Sequence, residues 1–122
     1  MKTENLFIIV FLCGAIILMV FASSGCSAGP GKYDGLAQCL SAKGAVMYGT
    51  EWCSHCQNQK KAFGTSFQYV VFIDCDKNAN ECLRAGVEGY PTWIVNGTKY
   101  AGEQNMYALA KNSGCLGNLT TS

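Results

Sequence analysis

No run of basic residues longer than Lys60-Lys61 occurs in this chain of 122 residues, and its formal net charge is only +1. That balance leaves no electrostatic footprint for nucleic acid. Charged side chains are scarce, 14% against 49% hydrophobic residues. A composition so poor in charge and so rich in apolar residues excludes disorder of the whole chain. No internal repeat appears, and the length excludes a large multidomain enzyme in favour of one small domain. Low-complexity sequence is confined to the Gly/Ser/Pro-rich stretch Ser23–Gly31. Cysteine is the residue in excess, with eight. So many in so short a chain point either to bound metal or to an oxidising compartment.

Part of the apolar count lies outside any fold. Leu6–Ala22 reads LFIIVFLCGAIILMVFA, without a charge and preceded by Lys2 and Glu4. This is short for a membrane-spanning helix and long for the hydrophobic region of a secretory signal, and it suits either. Ala22-Ser23-Ser24 offers small residues for a signal peptidase, and Ser23-Ser24-Gly25-Cys26 resembles a lipoprotein cleavage site with Ser23 where Leu or Val is usual. Export is expected, with the product anchored through residues 6–22 or a lipid on Cys26, or secreted. Residues 1–31 are thus expected to be signal or anchor plus a tether that holds a domain away from a membrane. The domain is expected over 32–115, and 116–122 as a flexible tail. Without Cys13 and Cys26, six cysteines remain, an even number that an oxidising compartment favours.

Within 32–115 the apolar spacing of Tyr33, Leu36, Ala37 and Leu40 predicts a helix ending near Gly44. Ala45–Tyr48 reads as a buried strand, and a helix is expected from about Cys53 to Phe63. The β-branched and aromatic run Tyr69–Ile73 predicts a second strand. Asn78, three residues before Glu81, resembles a capping box opening a helix that carries Cys82. Thr92–Val95 and Thr98–Tyr100 flank Asn96-Gly97, a two-residue hairpin signal. Met106, Leu109 and Ala110 mark a last helix, closed by Gly114. Strand-helix-strand units imply parallel pairing, and the hairpin adds one antiparallel edge strand, giving a small α/β sandwich.

Cys53-Ser54-His55-Cys56 is the chemical centre. At a strand-to-helix junction the first sulfur meets unpaired N–H groups and the helix dipole, which stabilise a thiolate. Cys53 is therefore expected to be the exposed nucleophile and Cys56 the more buried resolving thiol, with His55 adding a donor or positive charge close to the sulfur. A static disulfide or half a zinc site is the alternative. The four thiols Cys53, Cys56, Cys75 and Cys82 are spaced x2, x18 and x6, and the second pair is too wide for the usual structural zinc site. Trp93, on a strand, is expected in the core, as are Tyr48 and Phe63. Pro91 opens a clean strand directly after Gly89-Tyr90, where a cis or a trans bond is admissible. The spatial separation of Cys39 and Cys115 is not readable from sequence, and pairing between them stays open.

The order Trp-Cys-x-x-Cys, strand, then Tyr-Pro-Thr before a hairpin resembles the thioredoxin superfamily over roughly Tyr33–Gly114. More narrowly, YGTEWCSHCQNQKKAFG, DCDKNANEC, GYPTWIVNGTKYAG and LAKNSGC are similar to the thioredoxin-like partner domains of vitamin K epoxide reductase homologues. The resemblance implies a thioredoxin-like three-layer sandwich with a mixed four-stranded sheet. It implies Cys53 and Cys56 as the redox-active disulfide with no other cofactor, and Pro91 as a cis-proline. Trp52, Gly89 and Tyr90 are candidate client contacts, with plain core as the alternative for Trp52. Cys75 and Cys82 match an extra pair expected to form a structural disulfide. Where cytosolic thioredoxins keep a buried carboxylate, six residues before the first active-site cysteine, this chain has Met47.

Three functions follow as expectations. The first is an extracytoplasmic thiol–disulfide oxidoreductase that oxidises client thiols and is reoxidised by a membrane, quinone-linked, vitamin K epoxide reductase-like partner. The second runs electrons the other way, for cytochrome maturation or disulfide repair. The third is a non-catalytic copper- or zinc-binding module using Cys53, His55 and Cys56.

Overall fold

The computed structural model describes residues 29–119. The expected leader with Cys13 and Cys26, most of its tether, and residues 120–122 lie outside the described residues.

The first helix, α1 (Asp34–Ala42), buries Leu36, Ala37 and Leu40. The Asp34 carboxylate accepts the Gly31 N–H at 2.8 Å, placing a negative charge where the helix dipole favours one. After Gly44 come β1 (Val46–Gly49), the turn Thr50–Cys53, and α2 (Ser54–Phe63). A 3-10 segment, Gly64–Tyr69, leads into β2 (Val71–Asp74), and α3 (Ala79–Arg84) follows. The hairpin strands are β3 (Thr92–Val95) and β4 (Thr98–Ala101), and α4 (Met106–Ser113) closes the described fold with a 3-10 turn, Leu116–Asn118. Asn96 and Gly97 take φ of 49° and 77°, the left-handed pair that a two-residue hairpin requires.

The sheet order is β2-β1-β3-β4, with β1 parallel to β2 and antiparallel to β3, which is antiparallel to β4. This mixed four-stranded sheet with its helices is compatible with a thioredoxin-like α/β fold. Strand alternation divides the core between two faces. Met47, Trp93 and Val95 face α1, α2 and α4, packing with Leu36, Leu40, Phe63 and Leu109. Val46, Tyr48, Ile73 and Ile94 pack on the other face around Cys75 and Cys82. Trp93 is 0% exposed, Phe63 2% and Tyr48 8%. Burying an aromatic such as Phe63 stabilises the fold by roughly 1.5–3 kcal/mol.

The structure corrects several expectations. Two antiparallel pairings occur rather than one. The six residues of α3 span only about 9 Å, too little to carry the chain back along the sheet for a parallel return. The second strand starts at Val71 instead of Tyr69, because the 3-10 segment takes up Tyr69. No capping box forms: the Asn78 side chain makes no cap bond, and its Nδ2 donates instead to the Asp74 carbonyl at 3.0 Å. Residues 116–119 are not a loose tail, since Leu116–Asn118 form a turn and Leu119 packs against the core.

Candidate active site

The turn after β1 delivers Cys53 to the N-cap of α2, where its Sγ accepts the Cys56 N–H at 3.2 Å. A thiol sulfur thus occupies the position that a Ser or Asp oxygen usually fills. Both cysteines are free thiols. Cys56 is 0% exposed, and Cys53, expected to be exposed, is only 7% exposed. That expectation is corrected: Cys53 Sγ turns inward to cap the helix and its side chain joins the main core cluster. Burial pushes the Cys56 thiol up to about 12, with further upward contributions from the hydrogen bond and charge of Cys53; a backbone hydrogen bond from Thr50 and the Lys60 charge oppose it. Space for this sulfur comes from Gly49, where a Cβ would lie 2.6 Å from Cys56 Sγ.

Pro91 is buried at the entry to β3, and the Tyr90-Pro91 peptide is cis. Thr92 Oγ1 donates to the Gly89 carbonyl at 2.8 Å, and the Pro91 carbonyl accepts the Gly102 N–H at 2.7 Å. Because Tyr48 of β1 pairs with Thr92 of β3, this turn lies at the same sheet end as the Cys-x-x-Cys motif. Tyr90 and Trp52 meet edge to face, centroids 6.2 Å apart. Trp52 is 69% exposed, yet its Nε1 donates to Asp76 Oδ2 at 2.7 Å. An exposed indole is therefore held at two edges beside Cys53.

His55 is placed differently from the expectation. Its Nδ1 lies 2.6 Å from Glu103 Oε1, and among the described residues it makes no hydrogen bond to either thiol. Glu103 also accepts from Asn58 Nδ2 at 3.2 Å. These two bonds, with that from His55 the stronger influence, hold the Glu103 carboxyl below its ordinary value. Neither Glu103 nor Gln59 stood out in the sequence. Gln59 is 1% exposed and clamps the neighbouring residue: its Oε1 accepts the Gln104 N–H at 2.7 Å and its Nε2 donates to the Gln104 carbonyl at 3.0 Å. The same Oε1 accepts Trp93 Nε1 at 3.3 Å. The one available signal was spacing: His55, Asn58 and Gln59 share a helix face at i, i+3 and i+4.

Cys75 is joined to Cys82 and Cys39 to Cys115. The first disulfide withdraws two of the four thiols considered for zinc. Among the described residues no cluster of three or more His, Cys, Asp or Glu side chains is arranged to hold a metal ion.

A buried dithiol at a helix start, beside a proline turn and an exposed aromatic pair, defines a site suited to thiol–disulfide exchange. No family model matches the chain. It is 38% identical over 88 residues to the thiol-disulfide oxidoreductase LTO1 of Arabidopsis thaliana, covering 65% of this chain and 23% of that protein. It is 32% identical over 80 residues to protein disulfide isomerase-like 2-2 of Oryza sativa subsp. japonica, covering 54% of this chain and 22% of that one. The probable protein disulfide-isomerase A6 of Medicago sativa is 30% identical over 84 residues, 57% of this chain and 23% of its own length. The chain thus spans under a quarter of each of these relatives. Their names support a thiol–disulfide oxidoreductase.

Proposed function

We propose that this chain is a thiol–disulfide oxidoreductase whose working pair is Cys53 and Cys56, acting outside the cytoplasm to oxidise client thiols. The observation that carries the assignment is the asymmetry of the pair. Cys53 Sγ sits at the start of α2 and accepts the Cys56 N–H, while burial keeps Cys56 protonated. A client thiolate attacks Cys53 Sγ of the disulfide; the S–S bond breaks, and Cys56 leaves with the electron pair and takes up a proton. A second client thiolate attacks the client sulfur of the mixed disulfide. Cys53 then leaves as the thiolate, the client is oxidised by two electrons, and the pair is reduced. Trp52 and Tyr90 offer the client an aromatic platform next to the motif, Gly89 belongs to the turn at the same sheet end, and Pro91 shapes that turn.

Reoxidation is assigned to a quinone-linked membrane partner of the vitamin K epoxide reductase type, with the chain tethered through residues 6–22 or a lipid on Cys26. The support for this part is the sequence resemblance and the apolar leader. The first test is thiol trapping. Cys56→Ala should accumulate mixed disulfides with a reduced client through Cys53, and Cys53→Ala should accumulate none. Iodoacetamide should label Cys53 at neutral pH while Cys56 stays protected. Equal labelling of both thiols across pH would reject the assignment. Electron direction is read from the redox potential, which for an oxidant lies well above thioredoxin's roughly −270 mV.

A further inference from the structure

We propose that Glu103 is a tuning residue of the dithiol, acting through His55: its carboxylate competes with the Cys53 thiolate for the one imidazole of the motif, and so makes the disulfide a milder oxidant. The inference rests on Cys53 and Cys56 being the exchanging pair.

Glu103 lies far from the motif in sequence but is built into place beside it. Gly102 N–H bonds the Pro91 carbonyl, Gln59 holds both backbone groups of Gln104, and the Asn105 side chain accepts the Ala108 N–H at 2.8 Å to cap α4. The residues on both sides of Glu103 are therefore fixed. Its carboxylate is presented to the first turns of α2, where it takes His55 Nδ1 at 2.6 Å and Asn58 Nδ2 at 3.2 Å. Bonding at Nδ1 settles the ring orientation.

His55 sits between the two cysteines in sequence, two residues from Cys53. When the pair is reduced, an imidazole released from Glu103 can turn its N–H toward the thiolate. A stabilised thiolate stabilises the reduced form and makes the disulfide more oxidising. Glu103 withholds that donor, and the thiolate is left without it.

The test is equilibration of the full chain with glutathione buffers, together with the pH midpoint of Cys53 alkylation. Glu103→Ala should move the equilibrium about two- to fivefold toward the reduced protein, the scale of an exposed charge pair. That is about 10–20 mV for a two-electron couple. The alkylation midpoint should fall in parallel. Glu103→Gln keeps an acceptor for the imidazole and should shift less. On a His55→Ala background, Glu103→Ala should shift nothing. No shift in Glu103→Ala, a shift that persists without His55, or a larger shift for the Gln variant than for the Ala variant would each overturn the tuning role. A wild-type pair that never exchanges with glutathione would instead overturn the exchange function, and the tuning with it.

Discussion

Two sulfurs separated by two residues differ because their surroundings differ. Cys53 Sγ caps α2 and accepts the Cys56 N–H, whereas Cys56 is enclosed between α2 and β1, and burial raises it to about 12. This raised value has a stability consequence of definite sign. In the unfolded chain a cysteine loses its proton near its ordinary value of about 8.5, but in the folded, reduced chain Cys56 keeps it. Above that ordinary value the folded state binds more protons, so stability falls with rising pH. The reduced protein should therefore lose stability from about pH 8.5 upward, until the folded Cys56 itself titrates. Urea unfolding at pH 7.5 and pH 10 measures this, and Cys56→Ala should show a visibly smaller loss; an identical loss would mean that Cys56 is not held neutral. Gly49 is the other residue on which this enclosure depends. A methyl group there would lie 2.6 Å from Cys56 Sγ and 3.3 Å from Phe72 Cε2. Gly49→Ala should cost about 1–3 kcal/mol, as overpacking does, and displace the resolving sulfur. Chemical unfolding and the rate of Cys53–Cys56 disulfide closure should both report it, and a variant normal in both would show that the wall yields.

At the scale of elements, the segment between β2 and α3 joins a structural task to the site. The Cys75–Cys82 bridge encloses Asp76, whose carboxylate holds the Trp52 indole, and Trp52 adjoins Cys53. Closing so short a loop contributes roughly 2 kcal/mol in the chain-entropy picture. Cys75→Ala with Cys82→Ala should therefore lower stability by about that amount and leave the potential of Cys53–Cys56 nearly unchanged. With Asp76 released, KM for a protein client should rise while kcat holds. Trp52 fluorescence should redshift as the indole loses its carboxylate partner, and an unaltered KM would separate the bridge from client contact. These elements also mark what sequence can convey. The strand-to-helix junction at Cys53, the Asn96-Gly97 turn and the core position of Trp93 on its strand follow from local patterns, so they were legible. The start of β2 was not, because Tyr69 and Val70 are apolar whether the backbone is a 3-10 turn or a strand. Asn78 and Glu81 have the spacing of a cap, but the Asp74 carbonyl offered the Asn78 amide a better partner. Glu103 and Gln59 act across about 45 positions of chain, and no periodicity encodes such a meeting.

At the scale of the whole molecule, the two disulfides have different reach. Cys75–Cys82 spans a sequence separation of 7, while Cys39–Cys115 spans 76 and joins α1 to the segment after α4. Cys115 is 0% exposed and belongs to the main core cluster, so the bridge ties the two ends of the described fold across one packed layer. The entropy removed from the unfolded chain grows with the logarithm of loop length, and a separation of 76 corresponds to roughly 4.5 kcal/mol, about twice the shorter bridge. Such a contribution is large beside the roughly 5–15 kcal/mol of net stability a domain usually has. Cys39→Ala with Cys115→Ala should therefore destabilise the protein more than loss of Cys75–Cys82, by about 2 kcal/mol or more once the vacated space at Cys115 is included. Neither sulfur touches the motif through any bond described above, so the Cys53–Cys56 potential should stay where it is in the molecules that remain folded. Parallel urea titrations of the two double variants, with potentials measured below the unfolding midpoint, check both parts. A smaller loss for the longer bridge would show that the unfolded chain already holds α1 near its C-terminal partner, and a moved potential would show that the site senses the closure of the whole fold.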